Sequence, residues 1–144
     1  MATLTVEDRL EIHELYSRYS HAFDSGDVDA WVALFIPEGR FGVPAGPITG
    51  TDGLRRFATE RAEQAPGMRH LITNVTLDAT GGGANGRAYF LCFRLAGDGR
   101  LRLLNIGRYE DELVKTDDGW RFAARDVVGE VPDAIRDAPF QFAV

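Results

Sequence analysis

Up to about residue 65, apolar side chains recur mostly every three or four positions, and beyond Pro66-Gly67 they tend to alternate. These are the periods of helix and strand. Ile12, Leu15, Tyr16, Tyr19 and Phe23 form the first stripe, and Thr5 three residues before Asp8 is an N-cap signal with acids in the first turn. This predicts a helix from Thr5 through about Tyr19 to Phe23, stopping near Ser25-Gly26. Asp27 caps a second helix over VDAWVALF, which Pro37 and Gly39 end. Arg40 to Val43 reads as a short strand and PAGPITG as a loop, after which Thr51 or Asp52 caps a third helix through Leu54, Phe57 and Arg61 to about Ala65. Met68 to Asp78, Arg87 to Leu95, Leu101 to Lys115 and Trp120 to Val128 are β-branched and aromatic segments separated by GGGANG, GDG and TDDG. They predict an antiparallel meander, with Gly107 a candidate bulge. Helices first and sheet second is an α+β order, with helices packed on one face of a curved sheet.

The length of 144 residues suits one domain, and 44% hydrophobic with 26% charged residues is a globular balance. A net charge of -6 without a basic cluster argues against nucleic acid. One cysteine, Cys92, excludes an internal disulfide. The polar start MATLTVEDRL lacks the apolar core of a signal peptide, and no apolar run reaches the roughly 20 residues that span a bilayer. The expectation is a cytoplasmic protein with no membrane partner. There is no phosphate-loop or dinucleotide motif and no Cys/His cluster, so no cofactor and no metal are expected.

Three histidines can be weighed one by one. His13 and His21 lie eight residues apart on the first helix and read as surface or boundary positions. His70 lies in a strand, where alternation puts it on one face with Ile72 and Asn74. A buried histidine needs a partner, most usefully a carboxylate that fixes its tautomer. Asp24 is a candidate, because it sits at a helix C-terminus where the dipole disfavours an acid; alternatively it bonds amides of the turn FDSGD. Tyr16 and Tyr19 could offer hydroxyls to a cavity, although Tyr19 and Asp24 point about 140° apart on an ideal helix. Arg125 shares a strand face with Arg121, Ala123 and Val127, and either pairs at the surface or aims a cation at an anionic leaving group or oxyanion.

The runs Ile12 to Tyr19 and Phe23 to Asp27, then Trp31, Leu34-Phe35, Gly50 to Phe57, Arg69-His70, Thr73-Asn74, Tyr109 to Asp111 and Gly119 to Arg125 together carry a resemblance. Over about residues 5 to 130 the chain resembles the SnoaL-like proteins of the nuclear transport factor two-like superfamily and is similar to scytalone dehydratase. The resemblance implies a cone-shaped α+β barrel: a curved, mixed or antiparallel sheet with the N-terminal helices on its concave side. It implies a single domain over residues 1–144; the tail from Val131 to Val144 carries Ile135, Phe140 and Phe142 after a proline, and the expectation from these residues is that it closes the cavity or docks on a neighbouring subunit. In the dehydratase and in hexachlorocyclohexane dehydrochlorinase, an aspartate orients a histidine that removes a carbon-bound proton; the matching positions are Asp24 and His70. Arg125 matches the dehydrochlorinase arginine, but Tyr19 stands where its lysine would be, as in the bile-acid dehydratases. The arginine of those enzymes would fall near Gly129, so that match is incomplete.

The resulting expectation is a cofactor-independent lyase or isomerase of dehydratase type, acting on a small, apolar and cyclic carbonyl or hydroxy compound such as a polyketide or steroid-like metabolite. His70, Asp24, Tyr19 and Arg125 would be catalytic. Tyr16, Phe23, Trp31, Phe35, Phe57, Ile72, Asn74, Tyr89, Phe93, Asn105 and Trp120 would line the substrate cavity. A non-catalytic ligand-binding or assembly module is the alternative, and polyketide cyclisation a further one. An exposed apolar sheet face would be covered by self-association, giving a homodimer or homotrimer.

Overall fold

Thr5 and Asp8 exchange hydrogen bonds at the start of the first helix: the Thr5 hydroxyl accepts from the Asp8 amide at 3.1 Å, and Asp8 Oδ2 accepts from the Thr5 amide at 3.0 Å. This capping box starts α1 (Val6–Ser25), and Gly26, at φ 73°, ends it in the left-handed conformation that glycine adopts without strain. In this computed structural model, which describes residues 2–130, the order continues α2 (Val28–Val32), β1 (Phe35–Val43), β2 (Gly46–Thr49), α3 (Gly50–Gln64), β3 (Met68–Ala79), β4 (Gly83–Leu95), β5 (Leu101–Thr116) and β6 (Gly119–Gly129). The expectations for Val131 to Val144 lie outside the described residues.

One six-stranded sheet runs β2-β1-β6-β5-β4-β3. The predicted meander is β3 to β6, but the sheet is mixed: β1 joins β6 in parallel and folds back on β2, where a loop was expected. The second helix is shorter than its apolar stripe, because Phe35 already pairs with Phe122 as strand. Likewise Gly83 to Gly86 belong to β4, so the expected loop GGGANG is mostly sheet.

Three bulges keep the correct side chains facing the helices. An extra residue at Asn74-Val75 in β3, one at Leu104 in β5 and one at Ala123 in β6 each restore the inward and outward parity. Gly107 is not the bulge; it is glycine because a side chain there would strike the backbone of Val128. The Ala123 bulge carries Arg125 onto the side of Trp120 and Phe122, so it does not share a face with Arg121 as simple alternation suggests.

Arg125 is fully buried in consequence. Asp111, directly opposite on β5, takes its Nε and Nη2 through two 2.7 Å bonds, and the Tyr16 hydroxyl donates to the same carboxylate at 2.5 Å. The guanidinium lies 4.0–4.7 Å from the ring centroids of Tyr109, Phe122, Tyr19 and Tyr16. Gly86, opposite Asp111, leaves room for the Tyr16 hydroxyl, which a Cβ would displace. In the first turn of α1, Asp8 Oδ1 accepts from Lys115 Nζ at 2.6 Å and from Trp120 Nε1 at 3.0 Å, tying the start of the helix to the β5–β6 hairpin.

Removing one member of a buried ion pair strands the other. Asp111→Ala should lower unfolding free energy by about 3–5 kcal/mol in urea denaturation at neutral pH, whereas the paired change Asp111→Leu with Arg125→Met should recover most of that loss. A single variant within about 1 kcal/mol of wild type would contradict the account.

Candidate active site

Asp24 leaves the last turn of α1 towards β3. Its two oxygens divide their work: Oδ1 lies 2.6 Å from His70 Nδ1, and Oδ2 accepts the His70 amide at 2.8 Å. A carboxylate that holds both ring and backbone fixes where the imidazole sits and assigns the Nδ1 side to itself. Both side chains are about nine-tenths buried. Phe23, one residue before Asp24, places its ring edge-on to the imidazole with centroids 5.5 Å apart.

Burial disfavours the His70 imidazolium, but the Asp24 carboxylate, which accepts from the ring, and the neighbouring Cys92 sulfur outweigh it and hold the pKa up at about 9. Cys92 is the residue opposite His70 on β4, and Asn105 follows on β5, so imidazole, thiol and amide form one row on the concave face. The next inward row is Ile72, Phe90 and Gly107.

Tyr19 does not touch this pair. Its ring stacks on Phe23 at 6.3 Å, and Phe23 stands between it and His70, in keeping with the angular separation along α1. Its hydroxyl interacts with Arg125 and Tyr109, and burial pushes its pKa up to about 12, so it is a donor at neutral pH. Arg125 is neither a surface ion pair nor a free cation aimed at a leaving group. Asp111 neutralises it and four rings enclose it, while its Nη1 has no hydrogen-bond partner among the described residues. Its guanidinium packs against the rings of Tyr16, Tyr19 and Tyr109.

Of the predicted wall, Trp31, Phe35 and Phe57 join Phe23 and Phe41 in an aromatic cluster beside the pair. Ile72 and Asn105 also face inward, while Tyr16 is committed to Asp111. Four expectations are corrected. Asn74 is the exposed bulge residue, at φ 54°, and accepts from Thr73 Oγ1 at 3.0 Å. Tyr89 and Phe93 lie on the convex face, Tyr89 being 57% exposed and Phe93 in register with Arg69 and Leu103. Trp120 is spent on Asp8 at the far end of α1.

Asp111, Tyr109, Phe41 and Cys92 were not singled out as site residues. Tyr109 and Asp111 face inward with Asn105 by plain alternation along β5, and Phe41 lies opposite Arg125 in the parallel pairing of β1 with β6. His13 and His21 are exposed as expected, yet they line a cleft of about 190 Å³ that also reaches His70. A second cleft, of about 120 Å³, reaches Asp24 from the α3 side, past Arg61 and Met68. Among the described residues no His, Cys, Asp and Glu group is arranged to hold a metal ion, and no helix is long and apolar enough to cross a membrane.

Comparison with known proteins places this geometry in a family. The SnoaL-like domain profile matches residues 4–126. An uncharacterized protein of Mycobacterium tuberculosis is 30% identical over 133 residues, or 87% of each chain. A structure from Novosphingobium aromaticivorans, provisionally named an aromatic ring hydroxylase, aligns with a TM-score of 0.80 and 30% identity over 90% of this chain and 94% of that one. Another from the same bacterium, provisionally named a scytalone dehydratase, gives a TM-score of 0.76 at 22% identity over 88% of this chain and 89% of that one, a likeness of fold. The chain belongs to the SnoaL-like domain family, on the cystatin-like fold of the nuclear transport factor two-like superfamily.

Proposed function

We propose that the protein is a cofactor-independent lyase or isomerase of dehydratase type, acting on a small, largely apolar carbonyl or hydroxy compound. The observation that carries the reading is the 2.6 Å contact between His70 Nδ1 and Asp24 Oδ1 beside an aromatic cluster. With Nδ1 held, Nε2 is the nitrogen left to take a proton from the carbon next to the substrate carbonyl. Asp24 balances the imidazolium that forms. The Tyr19 hydroxyl, kept protonated by burial and backed by Arg125 and Tyr109, supplies the donor for the carbonyl oxygen or the departing hydroxyl. Dehydration, isomerisation and ring closure each begin with this proton abstraction.

A second proposal concerns partners. The convex face carries Leu71 at 50%, Tyr89 at 57% and Ile106 at 37% exposure, in adjoining rows of β3, β4 and β5. Such a patch on an open sheet favours a homodimer or homotrimer formed through this face.

Screening β-hydroxy ketones for loss of water supplies the first test. His70→Gln should cut kcat/KM by about 10²–10⁴ and Asp24→Asn should also lower it, with folding checked by circular dichroism. Full turnover by His70→Gln would remove the proposed base. Because the neutral base forms only as pH rises through about 9, kcat/KM should climb to that point and level off above it. A profile that falls through the same range would make His70 an acid. In sedimentation, wild type should exceed monomer mass and Tyr89→Glu with Leu71→Glu should return it to monomer; a monomeric wild type would refute the assembly.

A further inference from the structure

Partly buried arginines of this chain mostly stand against an acceptor. Arg40 pairs with Asp126, Arg102 with Asp98 and Arg108 with Glu110 and Glu130, while Arg121 donates to the Trp120 carbonyl. Arg94, near the end of β4, is half-buried and has no hydrogen bond or ion pair among the described residues. Across the sheet it lies opposite Met68 on β3 and Arg102 on β5. Along β4 it is two positions beyond Cys92, the residue opposite His70. Met68, Arg94 and Arg102 therefore form the next row on the concave face after His70, Cys92 and Asn105, about 7 Å further along the strands. Met68 fixes the side of the sheet: its sulfur lies 3.9 Å from Cys92 Sγ, and it lines the cleft that reaches Asp24.

The row sets two like charges side by side, and such a pair on antiparallel strands repels. Asp98, in the turn between β4 and β5, is already engaged: it accepts from Arg102 Nη2 at 3.3 Å and from the Arg100 amide at 3.0 Å, with Arg100 Nε 4.0 Å away. Between residues 79 and 109 it is the only acid, against Arg87, Arg94, Arg100, Arg102 and Arg108. In a chain of net charge -6, the row beside His70 thus holds a guanidinium that the described residues leave unmatched. Its planar fork of donors fits a carboxylate.

We propose that Arg94 is a specificity-determining residue that binds a carboxylate group of the protein's ligand, one row along the concave face from His70. Where it rests on the lyase reading, the inference narrows the substrate class to hydroxy or keto acids, with the carboxylate at Arg94 and the carbon that loses its proton at His70. The anion site itself does not depend on turnover.

The test follows the His70 ring and Arg94 Nε–H signals by NMR while benzoate is added at constant ionic strength, with benzamide as its neutral counterpart. Benzoate should bind saturably, in the millimolar range, and about tenfold more tightly than benzamide, the worth of a charge-assisted hydrogen bond. Arg94→Gln should abolish that preference and Arg94→Lys should keep part of it. Arg87→Gln, which removes an exposed arginine of the convex face, should leave it unchanged. Without ligand, Arg94→Gln should melt no lower than wild type, since it ends the repulsion from Arg102. Equal binding of the two probes, a preference that survives Arg94→Gln, or an equal loss in Arg87→Gln overturns the proposal. So does a clear fall in the melting temperature of Arg94→Gln, which would mean that the guanidinium already has a partner within the chain. With a substrate in hand, Arg94→Gln should raise KM for the acid more than it lowers kcat. If no hydroxy ketone or hydroxy acid is turned over, the lyase reading fails, and the benzoate result still decides for or against Arg94.

Discussion

An arginine inside an aromatic core must be matched, and that constraint organises the cone. Arg125 cannot shed its charge, so the fold supplies Asp111 opposite it, and Tyr16 from α1 completes the carboxylate's partners. The same three side chains link β6, β5 and the first helix. Once α1 is fixed along the sheet, its last turn has little freedom. Asp24 then emerges at a set height above β3, where His70 meets it.

The site inherits its division of labour from this arrangement. The imidazole and carboxylate lie at the end of α1, where both are near enough to two clefts to meet a ligand. The tyrosine hydroxyls lie deeper, beside a guanidinium that is charged but balanced. Phe23 separates the two groups and touches both.

Much of the fold was legible because helix capping and periodicity are local. Thr5 and Asp8 announce α1, and the alternating runs announce the four long strands. Parity was less legible. A bulge adds one residue without a local signature, so alternation placed Asn74 inward and Arg125 beside Arg121, and the structure reverses both. Convex-face Tyr89 and Phe93 read as cavity aromatics because residue type does not say which side of a sheet is buried. The parallel pairing of β1 with β6 depends on packing between distant segments and left no trace in either strand alone. His70 with Asp24 was found through scarcity and resemblance, whereas Asp111 became visible only as the partner that a buried Arg125 requires.

The claim at the centre is that Asp24 fixes His70 through Nδ1 and sustains its affinity for a proton. Nitrogen NMR of the His70 imidazole across pH tests it most directly. The account predicts a midpoint near 9, a neutral form that keeps its proton on Nδ1, and a midpoint that moves down when Asp24 is replaced by asparagine. A midpoint near the ordinary value of about 6.5 that ignores the Asp24→Asn change would contradict it.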